Sequence, residues 1–264
     1  DEAAADLLPP DVQGSLTDLR HPEAIEVWNG VVWSRLGRGD LAWAWWDGVA
    51  GEELAPWVAA ERGRVLRELG LHPAAERFDS AGLELATDVI DVCMLRLGLT
   101  ADAIGRGDLE LARLRLGSVE PLIERLPDSP RLARQVMRCS WIHVEIAFLA
   151  GQSPPVDLLP WWTAEEGVGF PDLYEHGSVF HRAKGLLFGG IARDDGRLLD
   201  AAADIAPPVL RWAVELARDD RQREGALRLA REAWREIVPP PGYEEAVART
   251  PTAERLSGQR KPLL

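Results

Sequence analysis

A pair of adjacent carboxylates, Asp194 and Asp195, followed by Asp200, has the residue types that hold Mg²⁺ against a diphosphate. Two aspartates, four intervening residues and a third aspartate lie in a turn between two predicted helices. Aspartate is common at such turns because its side chain accepts hydrogen bonds from the first free N–H groups of the next helix. We therefore interpret these aspartates as helix caps and keep diphosphate chemistry as an alternative.

The histidines, cysteines and serines show no spacing that predicts a metal centre or a nucleophile. No Gly-x-Ser-x-Gly elbow and no Cys-x2-Cys pair occurs in the sequence. His143 lies in the middle of an apolar helical segment, and we interpret it as a hydrogen-bonded core histidine. The sequence therefore predicts no catalytic residues, no metal site, no cofactor and no enzymatic activity.

Tryptophan is the most unusual component, with eleven residues among 264. Large aromatic side chains fill gaps between helices, but a cluster of them can also line a groove for a peptide, a partner helix or an apolar small molecule. The helical spacing puts Trp43 and Trp46 on one face and Trp45 on another. The predicted binding residues are Trp33, Trp43, Trp45 and Trp46 in the first helical unit and Trp161 and Trp162 in a proline-rich loop.

The charge balance excludes two classes of partner. The formal net charge is −13, with 43 acidic residues against 30 lysines and arginines. Nucleic acids and anionic lipids select clustered positive charge, so neither is an expected partner. No apolar run approaches the roughly 18 residues that span a bilayer, and we expect a cytoplasmic protein. Cys93 and Cys139, both in apolar helical segments, are expected to be free thiols.

A helix–turn–helix unit recurs about every 34 residues and organises the chain. Leu36, Leu69 and Ile104 each end the first predicted helix of a unit, and they lie 33 and then 35 residues apart. Such a period predicts a solenoid, in which stacked helical hairpins bury apolar faces that no single hairpin can bury alone. Runs of β-branched residues with strand-like alternation are absent, so the predicted fold class is all-α.

The second unit begins with a predicted helix at Pro56 that has one apolar and one charged face. The inward residues are expected to be Ala59, Gly63, Leu66 and Leu69. The outward, solvated residues are expected to be Glu61, Arg62, Arg64 and Arg67. Arg131, Arg134 and Arg138 are likewise interpreted as parts of a solvated face with ion pairs one helical turn apart.

Two resemblances follow from these units. The spacing Ala74-x3-Phe78-x2-Ala81, with Gly63 in the preceding helix, resembles the tetratricopeptide repeat, and Ala112, Leu116 and Val119 keep that spacing in the third unit. Residues 190–237 are similar to the helical repeat arms of large actinobacterial LuxR-type transcriptional regulators. In those regulators the arm follows an ATPase domain and precedes a helix-turn-helix. This sequence has no P-loop and no visible helix-turn-helix, so ATP hydrolysis or DNA binding would belong to other parts of such a protein.

The predicted architecture is an α-solenoid with helical repeats over 1–150, a proline- and tryptophan-containing interruption over 151–172, and further helical repeats and a tail over 173–264. The resemblances imply a non-catalytic module of a bacterial regulator that binds a protein or peptide partner or senses a ligand. One alternative is a sensor that encloses an apolar small molecule. A second alternative, from another class, is an isoprenoid-type enzyme on a helical scaffold, with its chemistry at Asp194 and Asp195.

Overall fold

A computed structural model describes residues 24–35, 38–46, 55–127, 129–155, 179–218 and 250–258. The described residues form helices and contain no strand, which confirms the all-α fold class. None of the helices in these ranges combines the length and apolarity needed to cross a bilayer. The helices are α1 (Ala24–Arg35), α2 (Gly39–Trp46), α3 (Pro56–Glu68), α4 (His72–Leu85), α5 (Val89–Gly105), α6 (Leu109–Gly117), α7 (Glu120–Ile123), α8 (Pro130–Leu149), α9 (Val179–Arg193), α10 (Gly196–Ile205), α11 (Pro208–Arg218) and α12 (Pro251–Gly258).

Helices that are neighbours in sequence pack against each other. Helix α1 packs on α2, α3 on α4, α5 on α6, and α9 on α10. The first helices of these pairs also meet, since α3 contacts both α1 and α5, and α8 lies between α5 and α9. The last described helix, α12, packs on α11 and also contacts α8 and α5. One buried apolar cluster extends from Val31 to Leu256 and includes residues from both sides of the predicted interruption.

Side-chain caps and prolines account for where many of the helices begin. Asp108 accepts a hydrogen bond from the Leu111 amide at 3.0 Å, and Asp195 accepts one from Arg197 at 3.0 Å. Ser129 caps α8 in the same way and is followed by Pro130, whose missing N–H has no cost in the first helical turn. The capping interpretation of Asp195 is therefore confirmed.

Aspartate near a helix start often caps the helix, but Asp40 does not cap α2. Asp40 lies inside the first turn of α2, and its carboxylate is bound by the guanidinium of Arg38 with N–O distances of 2.8 and 2.6 Å. Arg38 precedes the helix, so the pair closes the turn between α1 and α2. The position of Asp40 within the helix, rather than before it, is what separates it from the capping residues Asp108 and Asp195.

The longest helix, α8, is buried on two faces, as its apolar pattern predicts. Met137, Trp141 and Val144 are buried on one face, and Ile142 and Ile146 on the other. A helix that is apolar all round packs between neighbours, and α8 contacts α5 and α9. Both cysteines are free thiols, as expected.

The buried face of α4 is shifted by one residue from the predicted one. Ala74, Phe78 and Ala81 were expected to pack inward, but the buried residues of this helix are His72, Ala75, Asp79 and Gly82. A Cβ atom at Gly82 would lie 2.8 Å from Ala59 Cβ on α3 and 2.9 Å from Leu95 Cδ2 on α5. The absence of a side chain at Gly82 therefore allows three helices to approach closely. In the third unit, Ala112, Leu116 and Val119 are buried as predicted.

Gly82→Ala should destabilise the protein by about 1–3 kcal/mol, because the added methyl group overpacks the contact among α3, α4 and α5. The matched control is Gly196→Ala, at a helical position where a Cβ atom meets nothing within 4 Å. Alanine is the better helix former, so this control should be neutral or more stable. Urea denaturation of both variants checks the prediction, and equal free energies of unfolding would contradict it.

Candidate functional site

The charged residues of α3 are buried, which corrects the prediction that they face solvent. Glu61, Arg62 and Arg64 are 4%, 9% and 9% exposed, and the Arg67 side chain is 10% exposed. Arg134 and Arg138 on α8 are also not solvated, since Arg134 is buried and Arg138 lines an interior cavity. Buried charges are retained only with partners that replace water, and α3 supplies two such arginine-centred clusters.

The first cluster surrounds Arg64. Its guanidinium donates to Glu61 Oε2 at 3.1 Å and to the Ser34 carbonyl oxygen at 2.7 Å, and it is also ion-paired with Glu68. Burial lowers the pKa of Arg64, but the charges of Glu68 and Glu61 outweigh it, so the pKa is raised overall. Burial raises the pKa of Glu68, against the effect of Arg64. Glu68 Oε2 has no hydrogen-bond partner.

The second cluster joins three helices through Arg67. Nη1 of Arg67 donates to Asp79 Oδ2 and to Asp102 Oδ2, both at 2.8 Å, and to the Gly98 carbonyl oxygen at 3.1 Å. His72 Nδ1 lies 3.3 Å from Asp102 Oδ1. Asp79 and Asp102 are 0% exposed. One guanidinium therefore serves two fully buried carboxylates from α4 and α5.

Glycines provide the space for these polar side chains. A Cβ atom at Gly63 or at Gly98 would overlap the Asp79 carboxylate, and one at Gly105 would overlap the His72 ring. These glycines lie on α3 and α5, the two helices that flank α4. The buried network thus depends on the absence of side chains opposite it as well as on the charged residues themselves.

The surroundings of Asp79 in the Arg67 cluster change the pKa of its carboxyl group. Burial raises the pKa of Asp79 to about 7, against the effect of Arg67 and with a contribution from the negative charge of Asp102. Asp79 Oδ1 is buried without a hydrogen-bond partner. When Asp79 is protonated, Asp102 is the one charged carboxylate beside the Arg67 guanidinium. The cluster then contains no uncompensated negative charge.

Arg138 is a cation of this region without a direct carboxylate partner, although the charges of Asp79 and Glu61 act on it at longer range. Nη1 of Arg138 donates to the Met94 carbonyl oxygen and to Gln135 Oε1, both at 3.2 Å, and no carboxylate of the described residues lies within ion-pair distance. Burial, followed by repulsion from Arg67, lowers the pKa of Arg138 to about 10. An anion that reached this guanidinium would relieve both effects.

Arg138 lines a cavity of about 110 Å³ between α3, α4, α5, α8, α9, α11 and α12. Its polar wall contains Arg64, Arg67, Glu68, Arg138 and Lys184, and its aromatic wall contains Trp141, Phe180, Phe188 and Trp212. The Trp212 indole N–H, although buried, has no hydrogen-bond acceptor.

The C-terminal helix α12 closes part of this cavity. Thr252 Oγ1 donates to Glu145 Oε1 at 2.8 Å, across 107 residues of sequence. The other oxygen of Glu145 lies 3.5 Å from Lys184 Nζ, and Lys184 in turn lies over the rings of Trp141 and Phe188. Segments from most of the chain therefore meet at one small space that combines cations, aromatic rings and unpaired polar atoms.

The tryptophans predicted to bind a partner lie elsewhere. Trp46 is buried, Trp33 and Trp43 pack against the core, and Trp45 is 40% exposed. None of these four lines the cavity, and Trp161 and Trp162 lie outside the described residues. Trp141 and Trp212, which do line it, are not among the predicted binding residues. The signal that sequence reasoning missed is the placement of Arg64, Arg67 and Glu68 on one helical face, three and four residues apart.

Asp79 should make the protein less stable as the pH rises from about 4 to about 7. Its pKa is about 7 in the folded state and about 3.9 when unfolded, so the folded state binds the additional proton in that interval. Asp79→Asn should reduce this slope in urea denaturations at several pH values. Asp108→Asn, at an exposed cap where asparagine is equally suited, should keep the wild-type slope. An unchanged slope in Asp79→Asn would show that Asp79 is already ionised at low pH.

Comparison with known proteins does not assign the chain to a family. No protein-family model, no curated protein and no solved structure matches it. The functional conclusion therefore depends on the geometry of the cavity and of the charged clusters beside it.

Proposed function

We propose that this chain is a non-catalytic, ligand-sensing helical module whose interior cavity binds a small anionic molecule with a flat apolar part. The observation that carries the proposal is Arg138, a guanidinium without a carboxylate partner in the wall of an aromatic-lined cavity. Structural arginines inside proteins are paired with carboxylates, as Arg64 and Arg67 are here. An arginine left for an external anion is typical of a binding site.

The side chains that line the cavity indicate which functional groups the ligand carries. A carboxylate on the ligand would accept hydrogen bonds from Arg138, and the unpaired Trp212 N–H offers a further donor. Glu68 Oε2 is an unused acceptor, which suits a hydroxyl or amine substituent. The cavity of about 110 Å³ is smaller than the roughly 150 Å³ that holds one benzene ring, so the ligand has at most one ring, and its carboxylate would extend toward the polar wall. A small aromatic carboxylate has all of these properties.

The proposed function also depends on a proposed fold, a solenoid of stacked helical hairpins. Successive helices pack in pairs, and the first helix of each pair contacts the first helix of the next in the series α1, α3 and α5. This arrangement supports a tetratricopeptide-like solenoid, whose inner face would carry the cavity. The resemblance of residues 190–237 to regulator arms supports a place in a bacterial regulatory protein, where occupancy of the cavity would be the sensed event.

The alternative of diphosphate chemistry receives no support from the described residues. Asp195 caps α10 and binds the Arg197 guanidinium, with the shorter N–O distance 2.7 Å. Asp200 is paired with Arg218 at 2.7 Å. Neither carboxylate lines the cavity, so these groups do not converge on a space where Mg²⁺ and a diphosphate would bind.

A protein or peptide partner remains the second candidate, and the exposure of Trp45 favours it. Trp45→Ala should weaken binding of a partner peptide while leaving the far-ultraviolet circular dichroism unchanged, because a largely exposed ring contributes little to the core. The same variant should bind an aromatic carboxylate as the wild type does. A loss of carboxylate binding in Trp45→Ala would contradict the separation of the two surfaces.

The test of the cavity uses benzoate and its neutral analogue benzamide, with affinities measured by isothermal titration calorimetry. We expect the wild type to bind benzoate more tightly than benzamide. Arg138→Gln should weaken benzoate binding about 10- to 100-fold, as expected for loss of a charge-assisted hydrogen bond, with little effect on benzamide. Arg197→Gln removes the same charge from a side chain that is 84% exposed and should bind as the wild type does. An equal loss of benzoate affinity in both variants would mean that the net charge of the protein, and not a contact with Arg138, determines binding. That result would contradict the proposal.

A further inference from the structure

A second cluster of reactive side chains lies on α8, away from the cavity. Cys139 and His143 are four residues apart on this helix, and this spacing puts two side chains on the same helical face. Glu120, the first residue of the short helix α7, faces them. None of the three residues lines the interior cavity. The cluster is therefore independent of the proposed ligand site.

The donor atoms of these three residues converge. One carboxylate oxygen of Glu120, Sγ of Cys139 and one ring nitrogen of His143 all lie within 4.8 Å of one another. His143 Nε2 and Glu120 Oε1 are 2.7 Å apart. Tetrahedral Zn²⁺ binds such ligands at about 2.0–2.3 Å, which corresponds to ligand–ligand separations of about 3.3–3.8 Å. Small side-chain rotations would bring the three atoms to those separations.

We infer that Glu120, Cys139 and His143 form a three-ligand binding site for Zn²⁺. A thiolate, an imidazole and a carboxylate are the three ligand types that Zn²⁺ takes in proteins, and sites with three protein ligands leave the fourth position open. All three residues are half-buried, so the ion can enter from solvent. A groove of about 370 Å³ that Glu120 and His143 line with Gln152 and Ser153 gives a fourth ligand access.

Coordination by Cys139 requires the thiolate form of its side chain. On Zn²⁺ binding the sulfur–metal bond forms and the thiol proton passes to solvent. The His143–Glu120 hydrogen bond holds two of the ligands together before the ion arrives, which reduces the ordering cost of binding.

The first test uses Co²⁺ as a spectroscopic probe on the full chain. Co²⁺ bound to a thiolate gives a near-ultraviolet charge-transfer band, which reports coordination by sulfur. We expect this band in the wild type and its loss in Cys139→Ser. The chain has one other cysteine, Cys93, which is fully buried on α5. Cys93→Ser should therefore keep the band. Absence of the band in the wild type, or its persistence in Cys139→Ser, would overturn the inference.

The second test separates coordination from the hydrogen bond that already joins His143 and Glu120. Glu120→Gln keeps the length of the side chain and an oxygen that can accept the hydrogen bond, but it removes the charge. We expect at least tenfold weaker Zn²⁺ binding in Glu120→Gln and in His143→Gln, measured by competition with a chromogenic chelator. Unchanged Zn²⁺ affinity in either variant would overturn the three-ligand site. Circular dichroism of each variant without metal shows whether the helices are intact.

Discussion

The hydrogen bonds from one guanidinium to two buried carboxylates constrain the centre of this structure. Arg67 on α3 reaches Asp79 on α4 and Asp102 on α5, so three helices are joined by one largely buried charged group. Removing one partner of a buried ion pair costs more than the pair contributes, because the remaining charge stays desolvated. The three helices are therefore held in a fixed relation by charge balance as well as by apolar contact.

This polar centre imposes conditions on the residues around it. Gly63 and Gly98 must lack side chains because the Asp79 carboxylate occupies the space where a Cβ atom would be, and the His72 ring sets the same condition at Gly105. Arg67 and His72 also line the cavity. The protonation of Asp79 and the electrostatic potential inside the cavity are therefore linked, since both depend on the Arg67 guanidinium.

Local patterns are sufficient to explain the parts of this fold that local forces determine. The start of α8 at Ser129 and Pro130, the cap at Asp108 and the buried faces of α8 follow from hydrogen-bonding capacity and helical periodicity, which nearby residues set. The burial of Arg64 and Arg67 could not be predicted in this way. Charge alone favours solvent, and the groups that neutralise Arg67 lie 12 and 35 residues away in sequence.

The candidate sites likewise combine features that the local sequence predicts with features that depend on distant parts of the chain. The two cysteines were correctly predicted to be free, but Glu120 approaches Cys139 and His143 only because α7 turns back against α8. His143 was expected in the core; it is hydrogen-bonded as predicted, yet its side chain is 29% exposed. The cavity could not be predicted from the sequence either, because its wall combines side chains from seven of the described helices.

The contact of Thr252 with Glu145 has a consequence for how the protein forms during translation. Domains begin to fold as they emerge from the ribosome, N-terminal segments first. Helices α3, α5, α8 and α9 are all synthesised before α12, so a nascent chain has the aromatic and charged walls of the cavity before Thr252 exists. Glu145 therefore gains its hydrogen bond from Thr252 only after the parts of the cavity wall contributed by α3, α5, α8 and α9 have been synthesised.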